Sequence, residues 1–172
     1  MVSESGSVLP VVRAPAPVLS TTAVEVDPTA AEVVQLAHDL VATMYASPGC
    51  VGLAAPQVGV SWRLFCVDTS GHPRTPGRLG CFVLVNPRIV EASEAELARE
   101  GCLSVPDLTG DVRRATHVVV AGLTPGTGEE RSLEADGFEA RAVQHELDHV
   151  DGKLFLDRVV GVHAVHARRV YR

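Results

Sequence analysis

Residues 144–152 read Gln-His-Glu-Leu-Asp-His-Val-Asp-Gly and contain the pattern H-E-x-x-H at His145, Glu146 and His149. On an α-helix, side chains at positions i and i+4 lie on the same face, one turn apart. Two imidazoles in this arrangement can bind one transition metal, and the carboxylate between them can reach a water molecule. The pattern therefore predicts a helix that carries a metal site, in a hydrolase that activates water.

Length and composition limit the class of protein. A chain of 172 residues favours a single domain over residues 1–172, with an irregular N-terminal lead-in over about residues 1–10 and a short C-terminal tail over about residues 159–172. The 21 Asp and Glu residues outnumber the 15 Lys and Arg residues. This acidic balance argues against direct binding of nucleic acid.

Targeting features favour a cytoplasmic location. No apolar run approaches the length that crosses a bilayer, so no membrane association is expected. The N-terminus lacks the basic region and apolar core of a secretory signal. The four cysteines have no C-x-x-C spacing and, without export, are expected to stay reduced. The arginines near the C-terminus, at positions 168, 169 and 172, are predicted to be solvated.

Two helices are predicted. Asp27 and Pro28 are expected to start the first, because Asp is a good N-cap and Pro suits the first turn. The second is expected over about residues 137–150, with Asp136 as its N-cap and Gly152 just past its end. Helical spacing predicts a buried face on the first helix, formed by Val33, Leu36, Ala37, Leu40, Val41 and Met44.

Strands are predicted between the two helices. Runs rich in β-branched or aromatic residues occur at residues 63–68, 82–90 and 117–123. Segment 69–80 is polar and predicts a loop, and segment 124–129 predicts a turn that joins two strands. This order predicts an α+β fold, in which mostly antiparallel sheets pack around a central helix that carries H-E-x-x-H.

A catalytic metal site of this kind needs a third protein ligand. In the metzincin proteases the motif continues to a further His, and this chain has the matching Gly152, but Phe155 stands at the His position and cannot ligate. In thermolysin-like proteases the third ligand is a downstream Glu. This chain has no Glu after Phe155, and its only carboxylate there is Asp157. The third ligand is therefore sought upstream, among cysteines and scattered histidines.

The upstream cysteines differ in their surroundings. Cys66 and Cys81 lie in apolar strand-like runs and are predicted to be core residues. Cys50 lies in a Gly-rich turn, where packing alone explains it. Cys102 lies in Arg-Glu-Gly-Cys-Leu-Ser-Val-Pro, where a flexible Gly and a Pro flank a turn that can present a thiolate. The residues alone leave two roles open for Cys102, as a ligand or as a structural residue.

Three segments together resemble the peptide deformylase family. They are Gly-Leu-Ala-Ala-Pro-Gln at 52–57, Glu-Gly-Cys-Leu-Ser at 100–104 and Gln-His-Glu-Leu-Asp-His at 144–149. The flanking segments Leu-Glu-Ala-Asp-Gly at 133–137 and Gly-Lys-Leu-Phe-x-Asp-Arg at 152–158 fit the same pattern. The order and spacing of the motifs also match, and the resemblance extends from about Val11 to Arg158.

The resemblance implies a ligand set and a metal. Cys102, His145 and His149 match the family's three metal ligands. The family uses one divalent metal, ferrous iron (Fe2+) in the cell, and zinc, nickel or cobalt can replace it. This ligand set suits all four metals, so the residues do not select among them. The resemblance also implies a substrate cleft to which Val51, Gly52 and Gly101 contribute.

The resemblance further implies a reaction. The family removes the formyl group from the N-terminal formyl-methionine of newly synthesised polypeptides. Glu146 matches the base that takes a proton from water and passes it to the leaving amine. The donors that stabilise the oxyanion match the side chain of Gln57 and the backbone N–H of Leu103.

Such a substrate requires a methionine pocket. Helical spacing places Phe138, Arg141 and Ala142 on the side of the helix that bears His145. Phe138 and Ala142 are candidate walls of the pocket, and a role as ordinary core residues is an equal alternative. Arg141 is expected to form a salt bridge, with Glu100 as one candidate acceptor.

The chain departs from the family pattern at two places. Cys50 replaces the first Gly of Gly-x-Gly-Leu-Ala-Ala, which adds bulk beside the cleft. Many relatives also place an Arg shortly after the Cys-Leu-Ser-x-Pro turn, where it contacts the substrate chain. Here Arg113 and Arg114 are the candidates for that contact.

Two other functions compete with deformylation. A zincin-type metallopeptidase is disfavoured by Phe155 and by the upstream Cys. A purely structural metal site is disfavoured because such sites are usually closed by four ligands, whereas the motifs supply three and retain Glu146. Formylated substrates point to the bacterial cytoplasm and to a transient encounter with the ribosome.

Overall fold

The computed structural model describes residues 5–73 and 75–169. Met1–Glu4 of the expected lead-in and Arg172 of the expected tail lie outside this part of the chain. The helices are α1 (Ala31–Ala46) and α2 (Gly137–Val150). The strands are β1 (Gly52–Ala54), β2 (Leu64–Val67), β3 (Phe82–Ser93), β4 (Glu96–Cys102), β5 (Val105–Arg114), β6 (His117–Leu123), β7 (Glu130–Asp136) and β8 (Val165–Ala167).

The strands form two sheets. The larger has the order β1-β2-β3-β6-β7 and the smaller has the order β4-β5-β8, and every neighbouring pair is antiparallel. Helix α2 packs against the large sheet, and its side chains also bond to β4 and β5 of the small sheet. The predicted α+β fold, with antiparallel sheets around the helix that carries H-E-x-x-H, is confirmed.

The two helices cover opposite faces of the large sheet. All six residues predicted for the buried face of α1 are buried. Along β2, Leu64 and Cys66 pack in the cluster with α1, whereas Phe65 and Val67 pack in the cluster with α2. This division follows from the alternation of side chains along a strand. Burying each of the larger apolar side chains stabilises the fold by about 1.5–3 kcal/mol.

The ends of the helices agree with the sequence in part. Helix α2 has the predicted bounds, and Gly152 lies just past its end with a φ of 75°. The predicted start of α1 is wrong, because the Asp27 carboxylate accepts hydrogen bonds from the backbone and hydroxyl of Thr29 and forms a separate turn. Asp136 occupies the N-cap position of α2, but its side chain bonds to Arg78 and His117 and makes no cap bond.

Strand predictions succeeded where the sequence is apolar. The predicted strand 117–123 coincides with β6, and segment 124–129 forms the turn between β6 and β7. Cys66 is buried as predicted. Cys81 is exposed, so its prediction as a core residue is wrong. It is exposed because β3 begins only at Phe82, and Cys81 ends the preceding loop.

The segment after residue 159 is more than a solvated tail. Val165–Ala167 forms β8 and pairs with β5 at the edge of the small sheet. Arg168 and Arg169 are exposed as predicted, but Arg168 also lines a cavity. In the described part of the chain, no helix is long and apolar enough to span a bilayer.

Candidate active site

Three side chains of the types that bind metals meet between α2 and the small sheet. His145 and His149 project from α2, with ring centroids 5.1 Å apart. Cys102 ends β4, and its Sγ lies 3.3 Å from Nε2 of His149. One ligand atom of each residue lies within 4.8 Å of the other two. The structure therefore brings together the three residues that the sequence predicted as ligands.

The surroundings of these atoms fit a divalent cation. A thiol and two imidazoles are ligands that zinc and other divalent transition metals accept. Among the described residues, two buried polar side-chain atoms have no hydrogen-bond partner: Oε2 of Glu146 and Nδ1 of His149. Buried polar atoms in native proteins are normally paired, since an unpaired one costs about 1–3 kcal/mol. Glu146 Oε2 is thus a buried acceptor that no described group of the protein satisfies.

Glu100 orients His145. The Nδ1–H of His145 donates to Oε2 of Glu100 at 2.9 Å, which leaves Nε2 as the ring atom that can bind a metal. Glu100 also accepts hydrogen bonds from Arg114 and Arg141. Burial alone would raise the pKa of the Glu100 carboxyl, but the bonds from His145 and Arg114 outweigh it and hold the pKa at about 2. The sequence correctly predicted the contact between Arg141 and Glu100.

A second buried carboxylate supports the same helix. Asp148 lies inside the motif and accepts hydrogen bonds from Arg114 and, through both oxygens, from Arg158. Arg114 therefore bridges Glu100 and Asp148, and it is only 5% exposed. The expectation that Arg114 contacts substrate is wrong, because its guanidinium is fully engaged in this network. The sequence analysis missed the role of Asp148, although its position between the two His residues was a signal.

Glu146 is buried beside the backbone of Gly52. Its carboxyl is 4% exposed, and burial raises its pKa to about 7. The carboxylate lies against the backbone of Gly52, where an added Cβ would come within 2.7 Å of Oε1. Any residue larger than glycine at position 52 would therefore push the carboxylate aside. A group with a pKa near 7 can both accept and return a proton at neutral pH.

Gln57 directs its amide group towards the cluster. It lies in the short 3-10 helix Ala55–Val58 that follows β1. Its Oε1 accepts a hydrogen bond from the backbone N–H of Ala54 at 3.0 Å. Its Nε2 lies 3.5 Å from Sγ of Cys102 and 3.3 Å from Oγ of Ser104. Because Oε1 is occupied by Ala54, the amide is held with its NH2 group facing the cluster.

A cavity of about 250 Å³ opens onto these groups. The predicted substrate-binding residues Val51, Gly52, Gly101, Phe138 and Ala142 all line it, and so do Gln57, Leu103, Cys102, His145 and Glu146. His149 lies behind the wall and is only 1% exposed. The ring of Phe138 also packs against the imidazole of His72, with centroids 4.2 Å apart, so segment 69–80 supports that wall.

Some cavity residues were not predicted from the sequence. Three arginines line the cavity, namely Arg99, Arg141 and Arg168, and neither Arg113 nor Arg114 is among them. No local pattern distinguishes Arg168, because its place depends on the pairing of β8 with β5. Cys50 also lines the cavity, and its thiol donates to the carbonyl of Gly52 at 3.1 Å. Burial raises the pKa of the Cys50 thiol to about 12, which keeps it protonated and unreactive.

The α+β fold, the buried glutamate and the Cys-His-His cluster define a hydrolase of the metal-dependent class. The family model for polypeptide deformylase matches residues 8–164. A peptide deformylase from Halothermothrix orenii is 47% identical over 146 residues, which cover 85% of this chain and 90% of that protein.

Solved structures agree with the sequence comparison. The Met-Ala-Ser-bound crystal structure of the class I type b peptide deformylase from Acinetobacter baumannii is 42% identical with a TM-score of 0.82, over 90% of this chain and 99% of that one. The Thermotoga maritima peptide deformylase is 34% identical with a TM-score of 0.80, over the same shares of the two chains. The chain belongs to the polypeptide deformylase family, whose members are hydrolases that remove the N-terminal formyl group from new polypeptides.

Proposed function

We propose that this chain hydrolyses the formyl group of N-terminal formyl-methionine and releases formate, with Cys102, His145 and His149 holding the divalent metal that its family requires. The observation that carries the proposal is the convergence of these three side chains beside Glu146 and Gln57 in one cavity. Ferrous iron is proposed as the native metal, and zinc, nickel and cobalt as functional replacements, because the donor set accepts all four.

Glu146 is proposed to move the protons. When bound, the cation supplies Lewis acidity, which lowers the pKa of water and stabilises negative charge on the formyl oxygen. The carboxylate of Glu146 takes a proton from the attacking water and later delivers it to the amine that leaves. Its partner-free, buried Oε2 supports this role, since a substrate water needs an acceptor there.

Two N–H groups are proposed to stabilise the oxyanion that forms on the formyl group. The Nε2 of Gln57 faces the cluster, and Leu103 lines the cavity directly after Cys102. Both donors are uncharged, so neither competes electrostatically with a cation. Removing one donor of this kind typically costs about 3 kcal/mol in the activation barrier.

The rest of the substrate is proposed to bind along the cavity. Val51, Gly52 and Gly101 would pair with the peptide backbone in strand fashion, because strand ends with small residues let another backbone approach. Phe138 and Ala142 would contact the methionine side chain from α2. The apolar ring and methyl suit an unbranched thioether.

The cellular setting is part of the proposal. Newly made polypeptides emerge from the ribosome, so we propose a transient encounter with it and a location in the bacterial cytoplasm. Neither direct nucleic-acid binding nor membrane association is proposed, since acidic residues outnumber basic ones. The chain is proposed to act as one deformylase-like domain over residues 1–172.

The Glu146→Gln variant tests the proposal. Wild type and variant are purified without oxygen, their metal content is measured, and formate release from formyl-Met-Ala-Ser is followed. The variant should keep its fold and one metal per chain, whereas kcat should fall about 100- to 10,000-fold because the base is lost. Glu32→Gln, at an exposed position on α1, is the matched control and should keep full activity. Undiminished turnover in Glu146→Gln, or no formate release by the metal-loaded wild type, would contradict the proposal.

A further inference from the structure

Arg168 lies at the open end of the cavity. Its backbone N–H donates to the carbonyl of Asp107 at 2.9 Å, which continues the pairing of β8 with β5. A Cβ built on Gly101 would overlap Nη2 of Arg168, so the guanidinium rests against the Gly101 backbone. Gly101 directly precedes Cys102, which places this positive charge next to the metal-binding cluster.

Two acidic groups near this end of the cavity already have partners, and Asp107, whose carbonyl accepts from the Arg168 N–H, forms no ion pair with Arg168 in the described part of the chain. Glu100 accepts from Arg114, Arg141 and His145. Asp111 is paired with Arg99 at 3.1 Å and with His166 at 3.0 Å. Within residues 5–73 and 75–169, Arg168 itself forms no ion pair. Its guanidinium is therefore an exposed cation that lines the cavity and has no ion-pair partner among the described residues.

We infer that Arg168 is a specificity-determining residue that favours substrates with an acidic side chain at the second or third position after the formyl group. The inference rests on the proposed function, because it assumes a formylated peptide in this cavity. An extended chain advances about 3.3–3.6 Å per residue. A cation beside Gly101 therefore lies within one or two residues of the reacting formyl group. The guanidinium fork matches the geometry of a carboxylate.

The test compares peptides that differ only in charge. Formyl-Met peptides with a C-terminal amide carry Glu, Gln or Lys at position two or three, with Ala elsewhere. Wild type should prefer Glu over Lys in kcat/KM by about two- to five-fold, the range of an exposed ion pair, with most of the difference in KM. The preference should shrink as salt is raised, because exposed charges are screened.

Variants assign the preference to one side chain. Arg168→Gln should reduce the ratio of kcat/KM for the Glu peptide to that for the Lys peptide to about the value of a neutral site. Arg168→Lys should restore part of this ratio, because lysine returns the positive charge but not the two-pronged guanidinium geometry. Arg169→Gln is the matched control, since Arg169 is exposed and does not line the cavity. It should keep the wild-type ratio. A ratio is used because any general loss of activity cancels from it.

The possible results distinguish a failure of the inference about Arg168 from a failure of the proposed function. An unchanged ratio in Arg168→Gln, an equal loss in Arg169→Gln, or no charge preference in wild type would overturn the inference while deformylation stands. No formate release from any peptide, including the neutral Gln series, would overturn the proposed function itself.

Discussion

Replacing Glu100 by Gln tests whether one buried carboxylate holds the active site together. Glu100 accepts hydrogen bonds from Arg114, Arg141 and His145, and its side chain is only 4% exposed. The neutral amide would leave two buried guanidinium groups with less counter-charge. Arg114 keeps Asp148, and Arg141 keeps the carbonyl of Val112, so some compensation remains.

The size of the effect follows from the burial of the ion pairs that Glu100 forms. Removing one partner of a buried ion pair costs about 3–5 kcal/mol, and the remaining partners favour the lower end. For a domain of this size, such a loss lowers Tm by about 6–12 °C. Metal affinity should fall about 10- to 100-fold, because the acceptor that orients His145 becomes uncharged and weaker.

Thermal unfolding of the metal-loaded proteins and metal titration measure these effects. Glu130→Gln is the matched control, since its pair with Arg88 is 62% exposed on both sides and should contribute less than about 1 kcal/mol. Because the folded pKa of Glu100 is depressed, its stabilisation is complete above pH 4.5 and is lost as pH falls through about 2. This acid loss should be weaker in Glu100→Gln. Equal Tm shifts in the two variants would refute the reasoning.

Three further predictions concern the cavity. Gly52→Ala should lower kcat while metal content stays constant, because its Cβ would displace the Glu146 carboxylate; unchanged kinetics would contradict the contact. Gln57→Leu should lower kcat about 100- to 1,000-fold with a smaller change in KM, as measured by formate release. Removal of the metal by a chelator should abolish activity and lower Tm, and added ferrous or zinc ions should restore both. A Tm that does not respond to the metal would argue against binding at Cys102.

The sequence predicts those parts of the fold that depend on short-range spacing. The buried face of α1 and the bounds of α2 follow from apolar residues within a few turns of each other. The strand β6 follows from a β-branched run. These features need no knowledge of distant partners, so pattern alone identifies them.

The small sheet could not be predicted in the same way. In β4 the residues turned inward are Glu100 and Cys102, and in β5 they include Arg114. A strand that buries charged side chains shows no apolar alternation, because ion pairing replaces hydrophobic contact as the reason for burial. These strands become recognisable only when the partners of their charged residues on α2 are known.

The site was only partly accessible to sequence reasoning for a related reason. The His pair and Glu146 lie on one helix, so their proximity is local. Cys102 comes from a different element, and the residues alone left its role open until the family resemblance pointed to it. Arg168 depends on the docking of the last strand, and neither spacing nor resemblance marked it.

Because of the position of Glu100, limited proteolysis should measure the fraction of the protein that carries a metal ion. Glu100 belongs to β4, and its side chain connects that strand to Arg114 of β5 and to His145 of α2, which is a proposed metal ligand. When the proposed ion leaves, these contacts should weaken, and the edge strand β4, with its exposed Arg99, should become susceptible to trypsin. A digestion pattern on a gel would then report how much of a preparation carries its ion, with no substrate required.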